Sequence, residues 1–154
     1  MPKLFEKELE KKKVEEALPS VFDNLQKNLT DSEFNVSCSG STLVSVILES
    51  NHITCANVGD SRAILARQVD KKSWEMIYLS QDHKPSIESE KKRILKQGGR
   101  VHSLKDEKGQ SVGPLRVWLP NQSTFALIID IQGLAMSRSL GDNVSKPYGV
   151  THRP

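Results

Sequence analysis

The side chains from which metal, acid–base or nucleophilic chemistry could be built are few. They are the histidines at 52, 83, 102 and 152, the cysteines Cys38 and Cys55, and Asp60 in a Gly-Asp turn. No histidine has a partner at ligand spacing, so each reads as a surface or hydrogen-bonded group before it reads as a catalyst. The cysteines form no Cys-x-x-Cys or Cys/His cluster, which argues against zinc. They stand among apolar and small residues that suit buried, reduced thiols. Ser39-Gly40-Ser41-Thr42 lacks the glycine on each side of the serine that a nucleophile elbow needs. Gly98-Gly99 closes a helical pattern instead of opening one, so it is no phosphate loop. Asp60 has two readings: a turn residue, and a ligand for a hard divalent cation, since such ions take carboxylate oxygen. On residue types alone the turn is the simpler.

Composition sets the outer limits. The 154 residues suit one domain and cannot hold two ordinary ones. Hydrophobic residues make up 36%, below the roughly 45–50% of typical globular chains, and charged residues 27%. The longest aliphatic-aromatic run, Phe125 to Ile129, is far short of a membrane span. A net charge of +3, with nineteen acids mixed among twenty-two bases, gives no concentrated basic face. With two Trp, two Tyr and four Phe, stacking platforms are scarce too. Nucleic acid and membrane are therefore not expected partners. Met1-Pro2-Lys3 leads straight into charge with no apolar run, so no secretory signal is expected. The expected location is cytoplasmic or nuclear, without a disulfide.

The elements that must position these groups change character along the chain. Residues 1–30 read as helical: Lys3 to Glu16 is rich in helix formers, with Glu8–Lys12 a favourable i,i+4 pair. Val14, Leu18, Val21, Phe22, Leu25 and Leu29 then form one apolar stripe. Pro19 interrupts it, which predicts a kink there or a second helix starting there. Thr42–Leu48, Ile53–Val58, Ala63–Ala66 and Trp74–Leu79 read as strands with tight turns, an antiparallel meander. Ser86 is placed to cap a helix whose apolar face is Ile87, Ile94 and Leu95, ending at Gly98-Gly99. Arg100–Leu104 and Leu115–Leu119 read as further strands.

Taken in order, the segments carry more than any one of them. They are Ser39-Gly40-Ser41-Thr42, Ala56-Asn57-Val58-Gly59-Asp60-Ser61-Arg62 and Asp82-His83-Lys84-Pro85. After a helix come Gly98-Gly99-Arg100-Val101, Arg116-Val117-Trp118-Leu119 and Gly133-Leu134-Ala135-Met136-Ser137-Arg138-Ser139-Leu140-Gly141-Asp142. Residues 38–154 thereby resemble the central part of the metal-dependent protein phosphatases, the PPM or type 2C family, and the helices before Ser39 fit that family as well. The resemblance implies an α+β fold in which two stacked antiparallel β-sheets are flanked by helices (αββα), with residues 1–154 forming an incomplete domain. It implies hydrolysis of phosphoserine and phosphothreonine on phosphoprotein substrates by a water activated by Mg²⁺ or Mn²⁺.

The carry-over of site residues is narrow. The family's Asp-Gly-His-Gly segment occurs nowhere in this chain, and no arginine precedes Arg62. Only Asp60 matches a family position tied to metal, that of an accessory third ion. No residue here is assigned a catalytic or other cofactor-binding role. His83 falls in a turn that is structural in the family. Arg62 and Arg138 are expected to pair with acids or buried carbonyls, and Asp142 to order its loop. At 123–130 the chain inserts an apolar run where the family has a short link. It is open whether that run packs on the core, meets a partner or is an error of the coding sequence. The 154 residues alone are expected to be inactive. The alternatives to a phosphatase are a non-catalytic phosphatase-like binding module and a fragment without independent activity.

Overall fold

The computed structural model describes residues 2–9, 13–121 and 133–154; the apolar run at 123–130 and Lys12 of the Glu8–Lys12 pair lie outside them. Helix α1 spans Pro2–Leu9 and α2 spans Val14–Thr30. Lys13 between them is extended (φ −66°, ψ 160°), so the expected continuous helix over 3–16 does not form. Nor does Pro19 start a helix: it lies inside α2, five residues after its beginning. Proline there removes one intrahelical donor. Burial of Val14, Ala17, Leu18, Val21 and Phe22 on both sides of it carries the helix through. Farther along, the buried position is Gln26 instead of Leu25 or Leu29, which are half-buried.

Among the described residues eight strands follow these helices. They are β1 (Gly40–Ser41), β2 (Leu43–Glu49), β3 (His52–Val58), β4 (Ile64–Gln68), β5 (Trp74–Tyr78), β6 (Arg100–Lys105), β7 (Ser111–Trp118) and β8 (Leu140–Gly141). Helix α3 (Glu88–Lys96) separates β5 from β6, and a 3₁₀ helix spans Asn143–Tyr148. Among the described residues the strands pair two by two and antiparallel, as β1–β8, β2–β3, β4–β5 and β6–β7. The mixed α+β fold with antiparallel sheets therefore stands, but the four-strand meander does not. Its failure has a local cause. The backbone groups of Gly59 bond to His83 instead of continuing a ladder, and the Ala63 amide donates to Ser80 Oγ. β3 and β4 are thus parted at the Gly-Asp turn.

Among the described residues two small cores result. Val14, Leu18 and Phe22 of α2 pack on Ala56 and Val58 of β3, with Leu43 and Ile47 of β2 beside them. Ile94 of α3 packs on Val101, Val117 and Val150, with Leu115 and Leu134 alongside. An isolated two-stranded hairpin is marginal in water, and these helices back β2–β3 and β6–β7. Neither core contains a residue of β4 or β5.

Helix α3 ends as the Gly-Gly pair predicts: Gly98 sits at φ +79° and the Gly99 amide donates to Ile94 O (3.0 Å). Its start differs, since the N-cap position is Ile87 and no side chain caps it; Ser86 lies one residue too early. The thiols differ too, for Cys38 is exposed and Cys55 half-buried, both free. Among the described residues no helix is long and apolar enough to cross a membrane.

Phe22 is fully buried and Leu48 is 74% exposed. Phe22→Ala should therefore lower unfolding free energy by about 3–5 kcal/mol. Leu48→Ala should change it by no more than about 0.5 kcal/mol. Urea midpoints of the two variants against the parent chain measure both.

Candidate functional site

Asp60 is presented by a turn that the sequence holds from several directions. β3 runs into the core at Val58, and Gly59 then takes φ +102°. A Cβ at that position would lie 2.3 Å from Thr42 Cγ2, so only glycine fits beside β2. The Gly59 carbonyl accepts from the His83 amide (2.9 Å) and from Asn57 Nδ2 (3.1 Å). The Gly59 amide donates to His83 Nδ1 (3.3 Å). Asn57 Nδ2 also donates to Gln81 O (2.9 Å), and the Thr42 and Ser61 hydroxyls share a bond of 2.6 Å. Asp60 itself is half-buried, and its carboxylate makes no hydrogen bond to a described residue.

His83 is neutral in this arrangement. Burial pushes its imidazole down to about 4, and the positive charge of Arg138 acts in the same direction. A neutral ring is what Nδ1 needs to accept from Gly59, which leaves the proton on Nε2. Beside it, Asp82 accepts from Arg62 Nε (2.9 Å) and Nη2 (2.8 Å), and from Lys84 Nζ (2.8 Å). These bonds hold its carboxyl well below the usual carboxylate range.

A second cluster lies behind the turn. Glu90 on α3 is 3% exposed and accepts from Arg93 Nη1 (2.5 Å) and Nη2 (2.7 Å). It accepts as well from Arg138 Nη2 (2.8 Å), Arg138 Nε (3.1 Å) and Ser137 Oγ (2.6 Å). Burial alone would raise the Glu90 carboxyl; the bonds from Arg93, Arg138 and Ser137 outweigh it and hold the group well below the usual range. The arginines carry the connection outward: Arg93 Nε to Gly149 O (2.9 Å), Arg93 Nη2 to Ser137 O (2.9 Å) and Arg138 Nη1 to Arg153 O (3.0 Å). The Ser137 amide donates to His83 O (2.9 Å), which joins this cluster to the Asp60 turn.

The sequence-level readings divide accordingly. Arg62 and Arg138 pair with acids, and Asp142 orders its loop: its amide donates to Ser39 O (2.8 Å) and its carbonyl accepts from the Ser145 amide (2.9 Å). The other histidines lie apart from Asp60. His152 Nε2 meets Asp23 Oδ1 (2.8 Å), while His52 contacts Asn51. The Glu90 cluster was not anticipated. Its signal was present as a Glu with Arg three residues on, in a helix that also carries the core residue Ile94.

A hard-metal centre needs several oxygen or imidazole ligands converging on one point. Among the described residues no group of three or more His, Cys, Asp or Glu could hold a metal ion. Asp82 and Glu90 are committed to cations, and the buried Asn57 Oδ1, although unpartnered, is joined by no second carboxylate. Asp60 is joined by no second free carboxylate among them, and these residues do not fit a two-metal site.

Comparison with known proteins gives a consistent answer. The family profile described as "Protein phosphatase 2C" matches residues 3–154. A probable protein phosphatase 2C 12 of Oryza sativa subsp. japonica is 43% identical over 122 residues, covering 78% of this chain and 28% of the relative. A probable protein phosphatase 2C 72 of Arabidopsis thaliana is 38% identical over 147 residues, covering 96% of this chain and 41% of the relative. The fold is similar to the crystal structure of a serine-threonine phosphatase 2C from Toxoplasma gondii, with a TM-score of 0.72 at 23% identity. That likeness covers 92% of this chain and 44% of the other. The chain thus spans 28% and 41% of the length of these two curated relatives.

The unfolded imidazole titrates near 6.5 and the folded one near 4, so the unfolded state binds more protons between those values. Stability should fall as pH drops from about 6.5 to about 4, by on the order of 2–3 kcal/mol from His83 alone. His83→Asn, which keeps an acceptor for Gly59, should flatten urea midpoints measured across that window. Glu90→Gln leaves two arginines facing a neutral amide and should lower stability by about 3 kcal/mol or more at pH 7. A wild-type urea midpoint for that variant would contradict the account of Glu90.

Proposed function

Because the chain belongs to the protein phosphatase 2C family, we propose that it is part of a protein serine/threonine phosphatase that uses Mg²⁺ or Mn²⁺ on phosphoprotein substrates. The observation that carries the reading is the Gly59-Asp60 turn. It holds one carboxylate that pairs with no cation among the described residues, while Asp82 and Glu90, the acids of the same network, are both paired with cations. Two adjacent divalent ions would supply an activated water and neutralise charge on the phosphoryl oxygens. The residues described here do not make that centre. What they do is fix the backbone of the turn that carries Asp60, through the bonds of His83 and Asn57 to Gly59.

On this reading Asp60 is an accessory ligand, and the chain contributes scaffold plus that one carboxylate. The non-catalytic binding-module alternative draws no support from the matched relatives, which carry phosphatase names. Cytoplasm or nucleus is the setting we assign to the reaction, in keeping with phosphoprotein substrates.

Two assays test the proposal. The 154-residue chain should release no phosphate from a phosphothreonine peptide above a heated control, with either metal. A chimaera in which residues 3–154 replace the segment they match in the Arabidopsis relative should hydrolyse that peptide with Mn²⁺ or Mg²⁺, within about a hundredfold of the relative. A chimaera that unfolds cooperatively yet is inactive would overturn the phosphatase reading. Hydrolysis by the isolated chain would overturn the scaffold reading instead.

A further inference from the structure

We draw no further inference here: the strongest candidate, the exposed apolar face of the β4–β5 hairpin with Ile64, Trp74, Met76 and Tyr78, carries nothing, because the chain spans only 28% and 41% of the length of the two curated relatives and nothing in the structure shows what covers that face.

Discussion

A carboxylate at 3% exposure, as in Glu90, costs several kcal/mol unless cations and donors surround it. Arg93, Arg138 and Ser137 meet that demand, and in meeting it they fix much of the molecule. Arg93 comes from the same helix, whereas Ser137 and Arg138 come from a segment more than forty residues later. Their remaining donors hold the carbonyls of Gly149 and Arg153. The amide of Ser137 reaches His83, and His83 holds Gly59. Helix α3, the C-terminal segment and the Asp60 turn are thereby tied through one buried charge.

The other tie is Gln26, a buried amide on α2. Its Oε1 accepts from the Gly141 amide (2.9 Å) and its Nε2 donates to Asn143 Oδ1 (2.8 Å). A leucine in its place would bury more apolar area but leave the Gly141 amide without this acceptor. Polar pairing, more than apolar volume, thus connects the two small cores. This suits a chain with 36% hydrophobic residues, several of which face outward on β4 and β5.

The same logic separates structural acids from the candidate ligand. Asp82 and Glu90 sit against cations that keep them ionised and occupied. Asp60 is placed by backbone bonds around its turn, and no described residue bonds to its carboxylate. A metal ligand needs that freedom, although one such group does not make a centre.

Sequence alone was enough for the order of motifs that names the family, for the apolar face of α2 as far as Phe22 and for the Gly98-Gly99 helix end. Each rests on residues close in the chain, where helical period and glycine geometry decide the outcome. Tertiary structure decided the rest. Whether Gly59 joins a meander or bonds to His83, and whether Pro19 breaks α2 or is carried by buried neighbours, depends on distant groups competing for the same backbone atoms. The sequence shows Glu90 only as an acid three residues before Arg93, and the fold brings Ser137 and Arg138 to it from far along the chain. An alternating strand pattern likewise does not say which face finds a cover, and on β4–β5 the aromatic face found none among the described residues. The physical reason is common to all of these: local pattern fixes an element's shape, while its partners are set by which buried charges and amides must be satisfied across the fold.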